Sequence, residues 1–261
     1  MKVVILCGGK GTRIRGVSDD VPKPMLPVGP YPILWHIMRS YAHYGHKEFV
    51  LCLGHKGNVI KDFFVNYRTR IADFTIDFEN DRELTFHNFH EEIDWKVTLA
   101  ETGEDTLTGS RVKKIQSYLG DDETFMLTYG DGVCDIDIND LTAFHKKHGR
   151  ALTISGVRPP GRFGELDHDE TGKITEFNEK PQATGGRISG GFFVCNKSIL
   201  SYLTEGREDE TLETEPMRAL ARDGEMMMYR HDGFWQCMDT FRDYELLNGL
   251  YESGKAPWVK W

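Results

Sequence analysis

The residue types best suited to chemistry crowd into CGGKGTRIRGVSDDVPKPM, residues 7–25. Gly8, Gly9 and Gly11 directly follow an apolar run, and glycine there lets the backbone turn tightly and approach a ligand closely. Lys2, Lys10, Arg13 and Arg15 are cationic and no acid precedes Asp19, which is a local anion-binding signature in a chain of net charge −9. Two familiar phosphate motifs fail. A Walker loop needs Ser or Thr after its GK, but Gly11 follows Lys10; a dinucleotide fingerprint started at Gly9 needs glycine where Ile14 stands. The glycines alone fit equally well a strand-to-helix turn with solvated basic residues. Lys23, set in PKPM, tilts the reading toward phosphate.

A second candidate is Asp131, which ends the run FMLTYG (125–130) at the edge where open α/β sheets bind ligands. Read alone, an Asp after a strand is more often a turn or helix cap. The nearby DIDIND (135–140) is not a calcium loop, because Asp140 takes the place of the required glycine and Lys146 that of the bidentate Glu. Asp135 and Asp137 also match the short DxD of many glycosyltransferases. His87 with His90 and His145 with His148 are paired three apart, but HExxH is absent, so these histidines read as solvated or locally hydrogen-bonded.

Around these groups stands an ordinary water-compatible composition, 39% hydrophobic and 28% charged over 261 residues. The net charge of −9 argues against a nucleic-acid partner, whose phosphates must be neutralised by cations, but not against a single nucleotide. Eighteen apolar residues nowhere run together, and the apolar start stops at Gly8–Gly9, too short for a signal-peptide core; no membrane role and a cytoplasmic location are expected. Cys7, Cys52, Cys134, Cys195 and Cys237 are odd in number, far apart and without CxxC, which suits free thiols in a reducing compartment.

Strand-like and helix-like stretches alternate through the first 158 residues. Strands are expected at 2–7, 49–54, 95–100, 125–130 and 151–157. Helices are expected at 32–45, with Pro32 in its first turn and Gly45 at its end, from Val59 to Tyr67, at 111–119 and at 140–148. The alternation predicts an α/β fold, a Rossmann-like, mostly parallel mixed sheet with helices on both faces. After residue 158 come β-rich pieces at 173–180 and 187–196, then helices near 213–223 and 240–252. One domain spanning 1–261 follows, with a nucleotide-binding portion to about 158 and a small β-rich sugar-phosphate and C-terminal portion from about 159.

GGKGTR, eight intervening residues and VPKPM resemble the signature of sugar-1-phosphate nucleotidyltransferases, the sugar nucleotide pyrophosphorylases. PILWHIM (32–38), TYGDGV (128–133), PPGRFGELD (159–167), EKP (179–181), GGFFV (190–194), GFWQCMDT (233–240) and GKAPW (254–258) extend the resemblance over nearly the whole chain, toward the cytidylyltransferase branch. The resemblance implies attack by a sugar phosphate, glucose 1-phosphate, on the α-phosphorus of CTP, giving CDP-glucose and pyrophosphate. It implies Lys23 and Arg13 as catalytic cations, and Asp131 with the distant Asp239 as ligands of Mg2+. It assigns the nucleotide to Leu6, Gly8, Gly9, Lys10, Gly11, Thr12, Arg13, Lys23, Thr106, Arg111 and Gly130, with Lys10 ranked lower and Arg15 read as solvated. Backbone groups around Leu6 and Gly8 would read cytosine, and Arg111 would donate to it, unless Arg111 simply opens a helix and faces water. It assigns the sugar phosphate to Glu179, Lys180, Gly190, Gly191 and Trp235, with Arg162–Phe163–Gly164 as further wall. It also implies a homo-oligomer, the Trp258 and Trp261 tail being one candidate contact surface. Alternatives are the same chemistry with UTP, dTTP or another hexose 1-phosphate, a DxD glycosyltransferase, and an inactive nucleotide-sensing subunit.

Overall fold

The apolar run near the N-terminus becomes the middle of a seven-stranded sheet. The computed structural model describes residues 1–10, 20–88, 91–159, 165–168, 173–178 and 186–261, without the side chains of 91, 93, 165–168 and 175–178. In chain order the strands are β1 (Val3–Leu6), β2 (Glu48–Leu53), β3 (Lys96–Glu101), β4 (Thr124–Tyr129), β5 (Leu152–Val157), β6 (Ile188–Asn196) and β7 (Met226–His231). Their order across the sheet is β7-β5-β6-β4-β1-β2-β3. Only β6 runs antiparallel, to both β4 and β5. The expected mostly parallel mixed sheet is therefore what forms. It does not stop at residue 158, since β6 and β7, both from the β-rich second half, are wedged into it and added at its edge.

Burial explains why β1 carries no polar residue. Val3 and Ile5 enter one core layer and Val4 and Leu6 the other, all at most 8% exposed. The first layer is covered by α1 (Ile33–His43), α2 (Gly57–Val65), α4 (Ile138–His148) and α6 (Phe241–Glu252). The second is covered by α3 (Thr108–Lys114), which tightens into a 3-10 turn over Ile115–Leu119, and by α5 (Glu215–Arg222). The single helix expected at 111–119 is thus two pieces. Pro32 caps α1 and Gly45, just past its end, takes φ 85°, the left-handed turn that glycine allows.

Of the two tail tryptophans offered as a contact surface, Trp258 is spent within its own chain and Trp261 is half-buried. Trp258 is 1% exposed within its own chain, stacked on Phe234, and Trp261 packs against Trp35 and His36. A partner cannot reach Trp258 without stripping the tail from α1. The Trp258 indole donates to Nδ1 of the buried His36, 3.4 Å away, while Nε2 donates to the Val28 carbonyl at 2.8 Å. His36 is therefore neutral, with its proton on Nε2. Burial pulls its pKa down to about 4 against the opposing pull of the Val28 carbonyl. An imidazole held below its unfolded value withholds a proton that the unfolded chain binds, so stability falls as pH drops below the ordinary histidine range. The expected loss from pH 7 to 4 is about 3 kcal/mol from this group, because each tenfold drop in proton affinity is worth about 1.4 kcal/mol. Thermal unfolding against pH checks it: the acid-side slope is steeper in the wild type than in His36→Gln.

His145, expected to be solvated or locally hydrogen-bonded, is buried and bonded to Thr153 and Asn196. The five cysteines are unpaired; all but Cys237 are buried.

Candidate active site

The chain leaves β1 toward β2 and β3 on one side, then returns to place β4 on the other. Such a reversal opens a crevice at the carboxyl ends of β1 and β4, because the two following loops diverge. A cavity of about 380 Å³ lies there. Leu6, Gly8 and Gly9 from the end of β1, and Gly130 and Asp131 after β4, line it together with Lys23, Thr106, Arg111 and Asp239. Nine of the residues singled out from sequence thus share one wall. The Gly130 amide donates to the Leu6 carbonyl at 3.0 Å, and a Cβ at Gly130 would sit 3.0 Å from the Pro24 ring and 3.1 Å from that carbonyl. Glycine at 130 is what lets the PKPM turn press against the strand ends.

Lys23 opens a single 3-10 turn, Lys23–Met25, fixed by a 2.8 Å bond from Met25 N to the Pro22 carbonyl. Prolines on both sides of Lys23 stiffen that backbone. Its ammonium lies 2.7 Å from Asp131 Oδ2 and 2.5 Å from Asp239 Oδ1. The aspartates, 108 positions apart in sequence, are brought together by a short antiparallel pair, Gly132–Cys134 against Trp235–Cys237, closed by a 2.8 Å bond from Met238 N to the Asp131 carbonyl. Asp243 fixes the second one. Its Oδ2 accepts from the Asp239 amide at 3.1 Å and caps α6 in a box with Thr240, while Oδ1 accepts from the buried Gln236. Burial opposes the charge of Lys23, but the field of Asp131 and hydrogen bonds to both carboxylates outweigh it, and its pKa is raised. The two carboxylates are about a third exposed, face the cavity and converge on one cation. An oxygen-only pair of this kind fits Mg2+, which takes one or two carboxylates and keeps waters or phosphate oxygens in its other positions.

Arg111 does not face water. It is 4% exposed, and its Nη1 donates to the Leu53 carbonyl at 2.8 Å and Thr102 Oγ1 at 2.6 Å. Nη2 donates to the carbonyls of Gly8 and Glu104 at 3.1 and 3.2 Å. The group clips the glycine turn to the loop before α3, and among the described residues no carboxylate pairs with it. Burial lowers its pKa, so the positive charge at the cavity wall is held at a cost that an anion would relieve. Arg111→Gln leaves several buried carbonyls without donors, and a loss of about 2–4 kcal/mol in unfolding free energy is expected, measured by urea titration. Thr106 is buried, donates to Glu208, and is approached by Lys114 at 3.4 Å. Lys10 points elsewhere: it pairs with Asp105 at 2.6 Å on the surface.

Gly190, Gly191 and Trp235 lie beside the cavity rather than on its described wall. Trp235 Nε1 donates to the Gly190 carbonyl at 2.7 Å. Gly191 has φ 77°, and a Cβ there would meet the Tyr129 ring at 2.6 Å; that ring does line the cavity. Sequence reading missed Tyr129, whose hydroxyl donates to Glu213, and Thr108, which donates to the same carboxylate at 2.6 Å. Gly11, Thr12, Arg13, Arg15, Arg162, Phe163, Gly164, Glu179 and Lys180 lie outside the described residues.

The DxD carboxylates are spent on structure. Asp135 bonds His231 at 2.8 Å, and Asp137 caps α4 by accepting from the amides of Asn139 and Asp140. Neither lines the cavity.

A crevice of this topology, holding one lysine between two carboxylates beneath a glycine turn, is built to handle a phosphorylated ligand. The chain belongs to the nucleotidyl transferase family, whose sequence model matches residues 2–253. It is 47% identical, over the full length of both chains, to glucose-1-phosphate cytidylyltransferases of Salmonella typhi and Salmonella typhimurium. In fold it is similar to HddC from Yersinia pseudotuberculosis, with a TM-score of 0.69 at 23% identity over 96% of this chain and 99% of that one. A UDP-glucose pyrophosphorylase complexed with UDP-glucose matches with a TM-score of 0.68 at 16% identity, over 97% and 98%.

Proposed function

We propose that this chain transfers the cytidylyl group of CTP to glucose 1-phosphate, giving CDP-glucose and pyrophosphate. The observation that carries the reading is the convergence of Lys23, Asp131 and Asp239 in the crevice between β1 and β4. The likeness to the Salmonella enzymes supports the choice of base and sugar.

A phosphate monoester has its second pKa at about 6, so the attacking oxygen is mostly deprotonated at neutral pH and no general base is needed. The barrier is instead repulsion between two polyanions and charge growth at the α-phosphate. Lys23 meets that charge as a compact ammonium on a stiffened turn. Asp131 and Asp239 would hold Mg2+, which when bound neutralises phosphate oxygens. Among the described residues the amides of Gly8 and Gly9 have no partner and are free to donate to an anion or a base edge. The Gly8 carbonyl already accepts from Arg111 and from the His55 amide, 3.3 Å away, and the Leu6 carbonyl from the Gly130 amide, so either would have to take the cytosine amine as a further donor. The sugar phosphate would lie toward Gly190, Gly191 and Trp235.

The test is a matrix of CTP, UTP, dTTP, ATP and GTP against hexose 1-phosphates with Mg2+ present, following pyrophosphate. CTP with glucose 1-phosphate is expected to give the highest kcat/KM. A higher value for UTP or dTTP contradicts the base assignment, and no pyrophosphate from any pair contradicts the reaction.

A further inference from the structure

Helix α3 has a second working face. Opposite Arg111, a groove of about 610 Å³ is lined by Ser110, Lys113 and Lys114, by Lys197, and by Glu205 and Arg207 of the following loop. Lys114 is paired with Glu208 at 2.7 Å and Arg207 with Asp209 at 2.7 Å. Lys113 and Lys197 are different. Their ammonium groups donate to backbone carbonyls, Lys113 to Leu200 at 3.2 Å and Lys197 to Gly120 at 2.5 Å. Among the described residues neither meets a carboxylate. Both are half-buried, so each ammonium is held in place with charge left over, in a chain of net charge −9. Two fixed cations without a direct carboxylate partner outnumber the one carboxylate on the wall, Glu205, and suit a dianion, and the amide of Gln116 and hydroxyl of Ser117 on the same wall add neutral donors.

We propose that this groove binds a small phosphate-bearing anion and that its occupation weakens nucleotide binding in the crevice on the other side of α3. The coupling runs through Lys114. Its ammonium donates to the Thr102 carbonyl at 2.9 Å and approaches Thr106, which lines the crevice. Thr102 in turn accepts from Arg111 through its hydroxyl. A dianion in the groove draws Lys114 away from these partners and loosens the wall that Thr106 and Arg111 form. The inference rests on the crevice being the nucleotide site.

The test is calorimetric titration of the full chain with inorganic phosphate and with glycerol 3-phosphate, followed by CTP titration with and without each. In the wild type both anions are expected to bind and to weaken CTP binding about fivefold to tenfold, within the range of ordinary allosteric couplings. Lys113→Gln/Lys197→Gln is expected to bind CTP normally but to lose both the anion binding and its effect, while Lys113→Arg/Lys197→Arg retains them. An effect of phosphate alone points to the free ion as ligand, and an effect of the ester to a phosphorylated metabolite. The same weakening in the Gln variant means direct competition in the crevice and overturns the proposal. So does anion binding that leaves CTP affinity unchanged, or no anion binding by the wild type. Should CTP itself fail to bind, the nucleotide assignment falls, while the phosphate titration still reports on the groove. If the double Gln variant does not fold, Lys197→Gln alone carries the test.

Discussion

Lys23→Ala lowers turnover by about a thousandfold, the upper end of what loss of one preorganised charge-stabilising donor costs. The Lys23 side chain is 12% exposed and its ammonium sits where two carboxylates would otherwise face each other, so its charge acts in a weakly screened setting. Its role is strongest when charge grows at the reacting phosphate, so kcat falls more than KM rises. Fold stability changes little, because the abandoned aspartates are about a third exposed and water can solvate them. Pyrophosphate release under saturating substrates, alongside thermal unfolding, measures both. Activity within a few-fold of wild type contradicts the role. The pH profile adds a second check. A lysine ammonium of ordinary pKa is already charged throughout the neutral range, so no limb from its deprotonation is expected there.

Asp131→Asn and Asp239→Asn each abolish stimulation by Mg2+ and reduce activity by at least about a hundredfold, a loss of roughly 3 kcal/mol of transition-state stabilisation. The two substitutions are expected to resemble each other, because the carboxylates meet at one point. They are also expected not to add: once one ligand is gone, the second has little left to hold. The assay is activity against Mg2+ concentration for each single variant and the double. A single variant still stimulated as fully as wild type removes that aspartate from the metal site.

What was legible in the sequence is what local chemistry fixes. The apolar run 2–7 followed by glycines reads as a strand buried on both faces with a tight turn after it, and Val3 to Leu6 divide between the two core layers accordingly. PKPM marked Lys23 as a candidate, and the stiffness that Pro22 and Pro24 lend its turn is seen in the structure. What lay hidden depends on pairings across long stretches of chain. Nothing local marks β6 as the strand that slips antiparallel between β4 and β5, since its apolar pattern would suit either direction. Arg111 could be read from sequence as a donor to cytosine or as a residue opening a helix and facing water, and neither reading shows that the Leu53, Gly8 and Glu104 carbonyls close around it. The Tyr129–Glu213–Thr108 link joins positions 84 and 105 apart in sequence, beyond the reach of any periodicity. Asp243 offered one signal, as the third residue of a helix after Thr240, but its hold on the Asp239 amide appears only in three dimensions.

The most direct measurement is the binding of Mn2+, a paramagnetic stand-in for Mg2+, followed by electron paramagnetic resonance with CTP present. The wild-type chain is expected to take up one ion per bound nucleotide, and Asp131→Asn and Asp239→Asn, both folded, to lose it alike. Retention of that ion by both variants would mean that nucleotide and metal meet elsewhere on the molecule, and the account of the crevice would be wrong.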